Sequence, residues 1–156
     1  GGYGNMARLV RMMVPDVTYL IIDLPIFLLI QYAYLETVLG TGICNFIVRQ
    51  DQSLKEGKIN LMVSQSTYSQ DYVFDMFIST LALSESTRMA QQAVFEAGFF
   101  GADYLLVSHQ TRSERWKHAE SFVEPINQQY EICFHGKLPY FDKDESYLIA
   151  RKGENT

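Results

Sequence analysis

A chain of 156 residues, 47% hydrophobic and 20% charged, has the size and balance of one globular domain with one core, which excludes disordered, collagen-like and coiled-coil classes. A formal net charge of -5, with no run of Lys and Arg longer than a scattered pair, leaves little to neutralise phosphates and sets nucleic acid aside as a partner. The two cysteines, Cys44 and Cys133, form no CxxC and sit in apolar runs, which suits free thiols in a reduced, cytoplasmic setting.

The chain opens on Gly1-Gly2-Tyr3-Gly4-Asn5, and behind it Met6, Leu9, Val10 and Met13 fall at i, i+3, i+4 and i+7. That spacing predicts an amphipathic helix with Arg8 and Arg11 toward solvent, ended by Pro15 and Asp16. Thr18 to Ile22 is a continuous β-branched and aromatic run, expected to be a strand buried on both faces. Asp23 then stands at a carboxyl end, where open α/β sheets bind ligands. The apolar stretch Val17 to Leu35 is nearly long enough to span a bilayer, but an aspartate near its middle costs about 2.5 to 3.5 kcal/mol on insertion. Asp-Leu-Pro reads better as a strand end followed by a helix start, so no membrane partner is expected. Pro25 begins a second helix with apolar residues at Ile26, Leu29, Ala33 and Val38, and Gly40 to Gly42 stops it.

Two stretches compete for the next sheet strand. Ile43 to Val48 has strand character but reads as an inserted extended segment, and Lys58 to Ser64, followed by Gln65, is favoured. Val73 to Ser79 is expected to be a buried strand with Thr80 after it. Ser84 to Thr87 supply capping side chains for a helix whose core face is Ala90, Ala93, Val94 and Ala97, closed by Gly98. Ala102 to Val107 is another buried strand, ending at Ser108, His109 and Gln110. A helix from Ser113 to Val123, with Trp116, Ala119 and Val123 inward, should stop at Glu124-Pro125. Tyr130 to His135 and Ser146 to Arg151 are strand-like and too close for a crossover helix, so they should pair antiparallel. The fold class expected is α/β: a Rossmann-like doubly wound sheet closed by a C-terminal antiparallel hairpin.

Chemistry concentrates at the glycines and Asp23. Backbone N–H groups at a helix N-terminus bind polar or anionic groups, and a carboxylate accepts two hydroxyls at once. No His, Cys and carboxylate spacing matches a metal site, no P-loop or nucleophile elbow is present, and Asp142 to Glu145 lacks a calcium-loop pattern. Gly2-Tyr3-Gly4-Asn5-Met6-Ala7 also fits the GxGxxA dinucleotide fingerprint, with Asp23 at a suitable distance, so a nicotinamide-dependent oxidoreductase stays open as an alternative.

With these elements in order, the chain resembles the class I S-adenosylmethionine-dependent methyltransferases over essentially its whole length. Gly1-Gly2-Tyr3-Gly4 resembles the end of their first motif, and Asp23 looks like their ribose-binding acid. The run Phe74-Asp75-Met76-Phe77-Ile78-Ser79-Thr80-Leu81-Ala82-Leu83-Ser84-Glu85 looks like the strand-four segment of sugar O-methyltransferases.

The resemblance implies S-adenosyl-L-methionine held by Gly1, Gly2, Tyr3, Gly4, Asp23 and Leu24, with adenine contacts at Ser64 and Gln65 and with Ser79 and Thr80 facing the sulfonium. It implies a small hydroxylated acceptor, a sugar among the candidates, for which His109 or Glu85 would serve as general base. His118 and His135 read as structural or solvated. The family places a central strand with an acidic residue before the glycines, and nothing precedes Gly1, so a fragment of a longer gene product is expected. A fragment that binds no cofactor and serves as an interaction module is the third reading.

Overall fold

The computed structural model describes residues 2–49, 51–64, 72–110, 123–137 and 145–153. Gly1, Gln65, most of the helix expected at 113–123 together with His118, and acidic-loop residues 142–144 lie outside the described residues. The chain forms two compact units, Gly1–Gln70 and Asp71–Thr156. Among the described residues, each unit has a cluster of buried hydrophobic residues.

The first unit runs α1 (Asn5–Met13), β1 (Tyr19–Asp23), α2 (Pro25–Leu39), β2 (Cys44–Ile47) and β3 (Ile59–Val63). The strands form a parallel sheet in the order β1-β3-β2. Both competing stretches are therefore strands: the favoured one pairs with β1, and the supposed insertion is the outer strand beyond it. Central β3 is buried along Ile59 to Met62, as a parallel strand paired on both edges should be. β1 is only half-buried apart from Ile21, because it is an edge strand of this sheet.

Two side-chain directions differ from expectation. Arg11 does not simply face solvent: its Nη1 donates to the carbonyls of Val17 and Gly57, at 3.2 and 3.0 Å, joining the segments that lead into β1 and β3. In α2 the apolar positions Ile26, Leu29, Ala33 and Val38 lie exposed, and the inward face is Leu28, Gln31 and Leu35. This helix is apolar nearly all round, so periodicity alone could not choose its buried side.

The second unit contains β4 (Met76–Thr80), α3 (Ala82–Glu85), α4 (Arg88–Glu96), β5 (Tyr104–Gln110), α5 (Val123–Asn127), β6 (Tyr130–Lys137) and β7 (Glu145–Lys152). The sheet order is β4-β5-β7-β6, parallel between β4 and β5 and antiparallel through β7 and β6. The closing hairpin is thus present, with a bulge between Ile132 and Phe134. Its core centres on fully buried Phe99, whose ring meets Phe77, Phe95 and Tyr130 at centroid distances of 5.3 to 5.4 Å. The Tyr130 hydroxyl donates to the Ala102 carbonyl at 2.8 Å.

Boundaries shifted here too. β4 begins at Met76 rather than Val73, and both its ends are exposed. Thr87 caps α4 as expected, accepting from the Ala90 N–H at 3.3 Å, but Gln91 is the buried residue of that helix, and Ala97 is exposed. β5 continues through His109 and Gln110 because both pair with β7. α5 includes Pro125, where a helix stop was expected.

Candidate functional site

Gly4 is the N-cap of α1 with φ +101°, in the left-handed region that favours glycine. A Cβ there would lie 3.2 Å from Leu35 Cδ1, so the turn packs onto α2 only because the side chain is absent. No side chain caps α1, which leaves first-turn N–H groups for a ligand. At Gly2, with φ +65°, a Cβ would meet nothing within 4 Å, and the turn faces open space.

Asp23 ends β1. Its Oδ1 accepts from the Leu24 N–H at 2.8 Å, and its Oδ2 accepts from Gln31 Nε2 at 2.9 Å. The same Gln31 nitrogen donates to the Gly2 carbonyl at 2.8 Å, so one amide on α2 ties the glycine turn to the carboxylate. An ionised carboxylate offers about four acceptor positions. With one protein donor on each oxygen, Asp23 retains capacity for two hydroxyl donors, which a vicinal diol supplies.

Around this centre Leu24 is exposed. Tyr3 packs edge-on against Tyr34 with centroids 4.8 Å apart, and Tyr34 donates to Asn5 Oδ1 at 3.3 Å. Ser64 follows β3, whose Val63 is in register with Asp23, and so stands at the same carboxyl edge. Pro25, Leu28, Leu29, Phe46, Val48 and Val63 line an apolar groove of about 310 Å³. Gln31 was missed in the sequence; the available signal was a lone amide in the middle of an otherwise apolar helical turn.

In the second unit Thr80 of β4 pairs in register with Ser108 of β5, so Ser79, Thr80 and His109 occupy one carboxyl edge. The Ser79 hydroxyl accepts from the Leu83 N–H at 3.0 Å, tethering α3, while Thr80 is exposed. Between them and α3, Leu81 adopts φ +67°, a backbone conformation costing a branched residue about 1–2 kcal/mol. Glu85 is exposed on α3. His109 is fully buried and stacks on His135 at 5.7 Å. Burial, then the neighbouring His135 charge, hold its pKa below the ordinary histidine value despite a backbone hydrogen bond at Gln110, so the imidazole is neutral near pH 7. A second cavity of about 240 Å³, at Asp103, Tyr104, Arg151 and Lys152, lies at the opposite end of β5 from His109.

Among the described residues no three His, Cys, Asp or Glu side chains are grouped to hold a metal ion, and no helix is long and apolar enough to cross a membrane. No family model and no curated protein matches the sequence. Solved structures do. PH0226 protein from Pyrococcus horikoshii OT3 aligns with a TM-score of 0.67 at 7% identity, over 97% of this chain and 78% of its own. An O-methyltransferase family 2 protein from Planctomyces limnophilus DSM 3776, solved in complex with apigenin, gives 0.65 at 12% identity, over 98% of this chain and 49% of its own. N-methyltransferase NodS from Bradyrhizobium japonicum WM9 gives 0.61 at 12%, over 98% and 83%. At such identities the likeness is one of fold: the chain has the Rossmann-like α/β fold of methyltransferases.

Proposed function

We propose that residues 1–156 act as an S-adenosyl-L-methionine-binding methyltransferase domain that methylates a hydroxyl of a small acceptor of the sugar class, in the cytoplasm, without nucleic acid, membrane or metal as partner. The observation that carries this reading is the Gln31 bridge, which sets a glycine turn at a helix N-terminus beside a carboxylate with acceptor capacity to spare. The fold shared with an O-methyltransferase and an N-methyltransferase supports it.

When bound, S-adenosyl-L-methionine supplies a methyl carbon activated by its sulfonium. Asp23 would accept the ribose hydroxyls, the first-turn N–H groups of α1 would serve a polar group of the cofactor, and the bare backbone at Gly2 would permit close approach. Leu24 would add to the cofactor contacts, Ser64 and Gln65 are the candidates for contact with the adenine, and Ser79 and Thr80 are those for the sulfonium. Transfer then needs mainly proximity and in-line orientation, which binding provides. For the proton of the attacking hydroxyl, Glu85, exposed on α3, would be the acceptor open to a ligand, and His109, the other candidate, is neutral near pH 7 but fully buried. Calorimetry with S-adenosylhomocysteine tests the reading against its rival: heat that saturates supports it, whereas a saturable fluorescence change with NADH and none with S-adenosylhomocysteine would replace it with the oxidoreductase.

A further inference from the structure

We propose that Gln31 is a positioning residue whose amide orients the Asp23 carboxylate toward the ribose and so sets the preference for ribose over 2′-deoxyribose; the proposal rests on the function proposed above. Both groups facing its amide, the Gly2 carbonyl and Asp23 Oδ2, are acceptors, so the NH2 side must point at them and the amide cannot be turned round. That orientation leaves Gln31 Oε1 buried with no hydrogen-bond partner among the described residues, on a side chain that is fully buried.

Stability alone would not select such a residue. An unsatisfied buried acceptor is unfavourable, and the flanking positions of α2 are Ile30, Tyr32 and Leu28, so a methionine would pack there without an orphaned oxygen. Neither acceptor depends on Gln31 for solvation, because Gly2 is exposed and Asp23 is half-exposed. What the amide supplies is direction. It occupies one lone pair of Oδ2, as the Leu24 N–H occupies one of Oδ1, and each oxygen keeps acceptor capacity for a ligand. It also fixes the glycine turn at a set distance from that carboxylate, so diol and helix N-terminus are presented together.

The test uses the whole chain and two probes, S-adenosylhomocysteine and its 2′-deoxy analogue, with melting temperature as the ligand-free readout. Gln31→Met should keep or raise the melting temperature, bind S-adenosylhomocysteine about ten- to a hundredfold more weakly, and lose most of the wild-type preference for the ribose form. A packing role alone would weaken both probes equally and leave the preference intact, which would overturn the proposal. Gln31→Glu sets a carboxylate against two acceptors and should lower the melting temperature; an unchanged value would equally overturn it. Asp23→Ala separates the two levels. Wild-type protein that binds neither probe, or binding indifferent to Asp23→Ala, defeats the proposed function and this inference together, whereas binding that needs Asp23 but keeps its ribose preference in Gln31→Met defeats the inference alone.

Discussion

Each unit holds a turn in place with one buried glutamine, and the two glutamines do different work. Gln91 of α4 shares its amide hydrogens among the carbonyls of Leu83, Ser84 and Ser86, at 3.1 to 3.5 Å, and so closes the short helix after β4 with uncharged backbone acceptors. Gln31 of α2 divides its donors between a backbone carbonyl and a carboxylate with acceptor capacity to spare. The contrast separates a polar residue that satisfies buried backbone from one that prepares a charged group for a ligand. Of the carbonyls at Gln91, those of Leu83 and Ser84 belong to buried residues, and that of Leu83 also accepts from the Ser86 N–H and hydroxyl, whereas Gly2, whose carbonyl Gln31 holds, is exposed.

The largest effect should come from the hydrophobic centre of the second unit. Phe99→Ala removes the ring that Phe77, Phe95 and Tyr130 surround and should cost about 3–5 kcal/mol in denaturant unfolding. Next comes the comparison itself. Gln91→Met should cost about 1–3 kcal/mol by removing its donors to the carbonyls of buried Ser84 and half-buried Ser86, while Gln31→Met leaves the melting temperature in place. Equal losses for the two would erase the distinction between them. Gly4→Ala is expected to cost about 1–2 kcal/mol, from left-handed strain together with the 3.2 Å approach to Leu35 Cδ1.

The two units should also part company in acid. His109 has a folded pKa below its ordinary value, so the unfolded chain takes up its proton first; the stability it contributes is present above about pH 6.5 and is lost as pH falls through the folded value. Glu36 is likewise depressed, chiefly by the Cys44 N–H at 2.8 Å, against desolvation and with help from the Gly42 N–H. Its contribution persists to lower pH and disappears only below the ordinary carboxylate value of about 4.3. A melting series from pH 8 to pH 3 should show the His109 loss first, and replacing Glu36 with Gln should remove the later one. The smallest effect is chemical: burial and then Glu36 push the Cys44 thiol up to about 12, whereas Cys133 is exposed. Iodoacetamide at pH 8 should alkylate Cys133 in the folded chain and reach Cys44 only after denaturation, as read by peptide mass spectrometry.

The alternation of helix and strand, the closing hairpin and the placement of Asp23 at a strand end were legible because periodicity and turn residues report them directly. Which side of α2 faces inward was not, since Ile26 and Leu29 are as apolar as Leu28 and Leu35 and the choice is made by packing against β3. Ile43 to Val48 looked like an insertion because a four-residue strand carries little pattern, and only its ladder with β3 identifies it. The tight turn at Gly4 and the carboxylate at the end of β1 could be read from a glycine before a helical pattern and an acid after an apolar run. Gln31 could not, because its part depends on two acceptors far from it in sequence that meet only in the folded unit.

The central claim is that Asp23, held by Leu24 and Gln31, grips the ribose of an adenosyl cofactor. Isothermal titration of the whole chain with S-adenosylhomocysteine, wild type against Asp23→Ala, tests it most directly. The account predicts one saturable site in the wild type and an affinity about a hundredfold lower in the variant, at a melting temperature changed little, since Asp23 lies at a half-exposed strand end. Equal affinities in the two proteins, or no heat in either, would contradict it.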